Sequence, residues 1–394
     1  MTEDLALKET LIPVYSRFPI TFVRGEGCYL FDENGKRYLD LLAGIAVVVA
    51  GHANKRIASA ISDQANTLLC VSNYFFNDTV LQLSAKLAAL SPFEAQTFIC
   101  NSGAEANECG IKLARKWGHI RKPGEKYKII TAERSFHGRT LGTLAATAQP
   151  KKREGFHPLP PGFLHAPLND VVAWDLLMDE DIAAVMIETI QGEGGIYPCT
   201  GDFLHALREM CNARDILLIL DEIQCGMGRS GTFWAFQEFG VVPDIYLVAK
   251  GLANGVPIGA CVAKREVAAA FTVGDHGSTF GGNPFAARAA LATIAEIEER
   301  QLTQNAKNIG IYLSDSLRSL PFVKEVRGRG LMLAVVLDRP IAKEVVANSL
   351  DLGLILNNIL EDTLRIVPPL IISKSEVDEA ITKLKEAFNS TLKA

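Results

Sequence analysis

The sequence predicts an α/β fold, with a large domain built on a largely parallel sheet and a smaller α+β domain after it. Three observations predict it. Between about residues 61 and 285, short apolar runs alternate with longer stretches, several of helical period. Those runs are almost uniformly apolar, the pattern of strands covered on both faces. After Pro284 the pattern changes to strand-like pairs and a closing amphipathic helix.

Residues 28–41, CYLFDENGKRYLDL, read as a hairpin turned by Asn34-Gly35. They place an N-terminal segment, 1–60, alongside the smaller domain. Within 61–285 the strand candidates are QTFIC, YKIIT, IAAVMIE, ILLILD, DIYLVAK and GACVAK, and EANECGIKLARKW is a helix. A second helix, FAARAALATIAEIEE, leaves the large domain. In 286–394, VKEVRGRGLMLAVVLD and LRIVPPLIIS are strand-like, and KSEVDEAITKLKEAF is the terminal helix.

Composition narrows the function classes. Of 394 residues, 48% are hydrophobic and 22% charged, as in ordinary globular proteins. A net charge of −5 without a basic cluster argues against a nucleic-acid surface. The longest uncharged apolar run, LLAGIAVVVA, is far short of the roughly 20 residues that span a bilayer. The start, MTEDLALKET, resembles no signal or transit peptide, and the eight cysteines form no C-x-x-C pair. No metal site is expected, and a cytoplasmic location is.

ILLILD ends on Asp221, and DIYLVAK ends on Lys250 before the glycine-rich GLANGVPIG. The two charges lie 29 residues apart, one strand–crossover–strand unit, so both emerge at carboxyl ends on one sheet edge. Either alone reads as a solvated strand end. Together they suggest an amine of lowered pKa able to form a Schiff base, and a carboxylate able to hold a pyridinium proton. That pair suits pyridoxal 5'-phosphate. GMGRSG, 226–231, also fits the dinucleotide fingerprint, but it begins too far past its strand, and Lys250 stands where the acidic ribose ligand belongs.

Other segments gain meaning beside that pair. NSGAEANE has the capping-box spacing of Ser102 and Glu105, which suits an ordinary helix start and equally a phosphate cradle at Ser102, Gly103 and Ala104. In SFHGRT, Phe136 is either core or a stacking ring, His137 a satisfied loop residue, and Arg139 a carboxylate ligand. Ser278 and Thr279, in HGSTFGGNP, are further candidate contacts.

These segments, with IETIQGEGG, LILDEIQCGMGRSG, AKGLANGVPIGA and LRIVPPL, resemble the class III, or ω-, aminotransferases, and within them most the acetylornithine branch, over about residues 25–390. The resemblance implies fold type I, a seven-stranded, mostly parallel sheet, a homodimer with shared active sites, and pyridoxal phosphate as cofactor. It further implies that Lys250 carries the cofactor and the proton, Asp221 and Gln224 hold its ring, and Phe136 stacks on it. Ser102, Gly103 and Ala104 would hold the phosphate, with Thr279 of the neighbouring subunit. Arg139, Ser278 and Arg365 would bind substrate, with Glu193 pairing with Arg365 when glutamate or 2-oxoglutarate is absent. Ala53-Asn54-Lys55, Thr189 and GLANG depart from the family pattern near the entrance. Ornithine-specific relatives carry a tyrosine for the free α-amine where this chain has Ile45. Ile45 and Val47 favour an uncharged, acylated nitrogen. The expected donor is N-acetylornithine and the acceptor 2-oxoglutarate, with N-succinyl-diaminopimelate, ornithine or 4-aminobutyrate as alternatives.

Overall fold

The computed structural model describes residues 10–391. The first nine residues of MTEDLALKET lie outside them. Strands β1 (Phe22–Glu26), β2 (Tyr29–Asp32) and β3 (Arg37–Asp40) form an antiparallel ribbon. Asp32 Oδ1 accepts the amides of Asn34 and Lys36, each at 2.9 Å, and Gly35 takes the positive φ of 78° that the turn requires.

The central sheet holds β4 (Ala95–Cys100), β5 (Lys128–Ala132), β6 (Phe163–Ala166) and β7 (Ile182–Glu188). Two short strands, β8 (Ile190–Gln191) and β9 (Tyr197–Pro198), then make a ribbon of their own. The sheet resumes with β10 (Leu217–Asp221), β11 (Ile245–Val248) and β12 (Gly259–Lys264). Its order is β4-β12-β11-β10-β7-β5-β6, with only β12 antiparallel to its neighbours. Every residue of β7, β10 and β11 is buried, which explains their unbroken apolar runs. The helix Gly103–Arg121 packs on this sheet closely enough that a Cβ at Gly110 would meet Leu247 Cδ2 at 3.1 Å.

A second sheet contains β13 (Val323–Arg329) and β14 (Met332–Leu337). Next, β15 (Leu354–Ile355) pairs in parallel with β3, binding the N-terminal ribbon to the C-terminal part. Strands β16 (Asn357–Leu360) and β17 (Thr363–Ile366) complete the order β13-β14-β17-β16.

One expectation needs correction. LRIVPPLIIS is not a strand throughout: β17 ends at Ile366, because Pro368 and Pro369 offer no amide to a ladder. The helix Pro284–Glu299 packs on helices Lys55–Thr67 and Asp78–Ala89 and on the Lys250–Ala253 turn, and also contacts the next helix, Leu302–Arg318. β10 and β11 run parallel, as one strand–crossover–strand unit requires, and their connection contains a short 3-10 turn, Ala235–Phe239.

Candidate active site

Asp221 ends β10 in register with Glu188 of β7 and Leu247 of β11, and Lys250 follows β11 by two residues. Both charges therefore reach the same sheet edge, where a cavity of about 370 Å³ opens. Its walls include Ser102, Gly103, Ala104, Phe136, Arg139 and Gln224 as well as Asp221 and Lys250. Eight of the twelve residues expected in the site thus border one space.

Asp221 is buried and held by three neighbours. Ile223 N donates to Oδ1 at 3.0 Å, Asn107 Nδ2 donates to Oδ2 at 3.1 Å, and His137 Nδ1 lies 2.8 Å from Oδ2. Among the described residues no lysine or arginine pairs with it, and its ion-pair contact is the one to His137. Lys250 is half-buried with a φ of 33°. Burial lowers its pKa, with Arg365 adding to the shift and Glu193 and Asp221 opposing it. An amine facing a carboxylate across a pocket floored by a helix N-terminus fits an aldehyde-bearing pyridine phosphate.

Ser102 caps that helix, its side chain accepting from Glu105 N at 3.2 Å. The reciprocal half of the expected capping box is absent. Glu105 Oε2 accepts instead from Asn101 N at 2.7 Å, one residue earlier. A Cβ at Gly103 would meet Ile223 Cγ2 at 3.0 Å, so a small residue lets the helix start approach the Asp221 turn.

Glu193 lies in the turn between β8 and β9, and Arg365 in β17. The two form an ion pair in which Arg365 is 1% exposed, so the charge is almost wholly removed from water. Burial opposes ionisation of Glu193, but attraction to Arg365 outweighs it and holds the carboxyl below its usual range. Arg365 Nε also donates to Asn357 Oδ1 at 3.1 Å, and Nη1 reaches Gln224 Oε1 at 3.5 Å. Gln224 connects this pair to the cavity it lines.

Ser278 and Thr279 do not border the main cavity. They line a neighbouring recess with Asn101, Glu105 and His276, and Asn101 Nδ2 donates to Ser278 Oγ at 3.1 Å. Ile45 is also absent from the cavity wall, whereas Val47 is present. The donor argument therefore rests on Val47. The physical reason is backbone: Ala43 to Ala46 all have positive φ, Ile45 at 69°, which turns that side chain elsewhere. GMGRSG opens no helix. Its Arg229 is fully buried and donates to the carbonyls of Leu331 (3.1 Å) and Pro368, tying the turn to the C-terminal part.

Three contributors escaped the sequence reading. Glu188 lines the cavity and accepts Phe136 N at 3.0 Å and Gly192 N at 2.9 Å; burial pushes its carboxyl up to about 7. Like Asp221 it ends an apolar run, which was the available signal. Asn107 shares a helix face with Ala104 by i,i+3 spacing. His137 had no sequence signal separating it from an ordinary loop histidine.

The family described as Aminotransferase class-III matches residues 12–388. The chain belongs to it. The acetylornithine aminotransferase of Gloeobacter violaceus is 47% identical over 393 residues, 98% of each chain. Among solved structures, N-acetylornithine aminotransferase from Stenotrophomonas maltophilia matches at a TM-score of 0.86 and 36% identity, covering 98% of this chain and 99% of that one. The ornithine aminotransferase from Toxoplasma gondii, with partial occupancy of PLP at its active site, matches at 0.94 and 32% identity over 100% of this chain and 96% of that one. Among the described residues no helix of this class III aminotransferase is long and apolar enough to cross a membrane.

Proposed function

We propose that this chain is a pyridoxal-phosphate-dependent aminotransferase that moves the ω-amino group of N-acetylornithine to 2-oxoglutarate, giving N-acetylglutamate 5-semialdehyde and glutamate. The observation that carries the chemistry is the placement of Lys250 and Asp221 on one sheet edge, around one cavity, with no lysine or arginine among the described residues paired to Asp221. The cofactor, when bound, supplies an electron sink for the carbon from which the amine departs. Asp221 and Gln224 would hold its ring, Phe136 would stack on it, and Ser102, Gly103 and Ala104 would hold its phosphate. Lys250, whose pKa burial lowers, would hold and return the proton that the reaction moves.

Arg139, exposed at the cavity wall, takes the carboxylate distal to the reacting carbon. Arg365 takes the α-carboxylate of glutamate or 2-oxoglutarate, and Glu193 masks it while the ω-amine reacts. Ser278 and Thr279, outside the cavity of their own chain, serve the site of a second copy, so the working form is a cytoplasmic homodimer. In each copy 61–285 holds the cofactor, and 1–60 with 286–394 form the smaller unit bearing Arg365. Val47 at the wall favours the acetylated donor, because a methyl amide suits an apolar neighbour better than an ammonium.

The test compares kcat/KM for N-acetylornithine, ornithine, N-succinyl-diaminopimelate and 4-aminobutyrate in one buffer, with the cofactor's visible band followed on adding each donor. N-acetylornithine should rank first. A higher kcat/KM for ornithine or 4-aminobutyrate would refute the donor assignment, and a colourless protein with no band would refute the cofactor.

A further inference from the structure

The turn that presents Glu193 is gripped from two sides by arginines of the second sheet. Arg327 of β13 pairs in register with Ala334 of β14, and Ala334 with Arg365 of β17, so the two arginines share one row and one face of that sheet. Ala334 between them is small. Arg365 takes the Glu193 carboxylate, while Arg327 Nε and Nη2 donate to the carbonyl of Gly195 at 3.0 and 2.8 Å. The Arg327 guanidinium also lies 3.9 Å from the ring centre of Tyr197, the first residue of β9, and its Nη1 pairs with Glu325 at 3.1 Å. The remaining contacts leave the turn backbone little freedom. A Cβ at Gly192 would meet Gln224 at 2.5 Å, and one at Gly194 would meet Arg134 O at 2.8 Å.

We infer that Arg327 is a positioning residue for the Glu193–Arg365 gate. It fixes the main chain on one side of Glu193, so that the gate opens by rotation of the Glu193 side chain alone while the turn stays in place. The inference rests on the gate reading above. It adds that occupancy of the closed state depends on a residue that touches neither substrate nor cofactor. Without the Gly195 anchor, Glu193 competes less well for Arg365 and dicarboxylates bind more readily.

The experiment measures glutarate binding to the holoenzyme by calorimetry, since this dicarboxylate cannot react. It is done for the parent, R327M, R327K, E193A and the double variant E193A/R327M. R327M should bind glutarate about 5-fold or more tightly than the parent, a modest coupling between sites. R327K, which keeps a charge and a donor, should fall between them and serves in place of R327M if that variant does not fold. In single turnovers R327M should slow the N-acetylornithine half-reaction more than the glutamate half-reaction. In the E193A background the substitution should change neither quantity further. Unchanged glutarate affinity in R327M, or an equal change with and without Glu193, would overturn the role of Arg327. Unchanged affinity in E193A alone would overturn the gate itself, and this inference with it.

Discussion

Asp221 accepts hydrogen bonds on both oxygens, and that double demand separates a carboxylate from its amide. In Asp221→Asn one oxygen becomes a donor and points at Asn107 Nδ2 or Ile223 N, both donors themselves. The variant also loses the charge, so its turnover should fall by at least about 100-fold, measured at saturating donor and cofactor. Glu222, the next residue, is fully buried and accepts from Ala235 N at 2.6 Å, Phe236 N at 3.2 Å and Thr189 Oγ1 at 2.9 Å. Burial, only partly offset by those bonds, raises its carboxyl from 4.5 to about 7. The folded state therefore binds more protons than the unfolded one between those values. The contribution is full below the lower value and lost as pH rises through the upper. Glu188 acts with the same sign. Glu222→Gln cannot titrate, so its deficit against the parent should be larger at pH 5 than at pH 8 in urea unfolding. A deficit that grows with pH would contradict the assignment.

Arg365 depends on its strand. Its position in β17 fixes it opposite Ala334 and Asn357, and the Glu193 ribbon meets it there. Arg365→Ala should therefore weaken glutamate and 2-oxoglutarate while largely sparing the N-acetylornithine half-reaction; single-turnover rates for each half decide this, and equal losses would refute the division. At this scale most of the molecule was legible. Strands covered on both faces wrote themselves as apolar runs, and six of the seven in the large sheet were visible that way. The missing one, β6, is a four-residue edge strand of which only Ala166 is buried, so it carries no such run. The extent of β17 was misread because apolar burial continues beyond its ladder: Leu370 and Ile372 are core residues held by loop backbone, with Leu370 N donating to Val49 O at 2.8 Å.

A single copy leaves much apolar surface uncovered. Tyr74 is 95% exposed, Phe76 89%, and Phe75 and Phe280 are also largely open, all close in sequence to Asn73 or to Ser278 and Thr279. Asn73 Nδ2 joins the two segments by donating to the carbonyls of Ser278 (2.9 Å) and Gly281 (2.8 Å). A patch of this kind marks an interaction surface. If Thr279 serves the other copy's site, Lys250→Ala and Thr279→Asp chains should each be impaired alone. Co-expressed, they should recover activity, because one site of each mixed dimer has both residues intact. No recovery, with mixed dimers present, would place Thr279 elsewhere. The placement of Asp221 and Lys250 around one cavity was legible because each closes an apolar run at a strand end. The Asn107 and His137 contacts were not, since they join distant segments that only the folded chain brings together.

Lys250 adopts a φ of 33°, a backbone region that side-chain-bearing residues enter at a cost of roughly 1–3 kcal/mol. Glycine would relax it, but glycine has no amine. The position therefore sets a local trade-off between chemistry and robustness, one that neighbouring substitutions can offset without removing. Two inactive proteins expose it: Lys250→Gly should unfold at higher denaturant than Lys250→Ala, although alanine is ordinarily the more stabilising choice. The reactive lysine would then be a built-in weak point of an otherwise well-packed chain, and efforts to harden this protein against heat would do best to begin elsewhere.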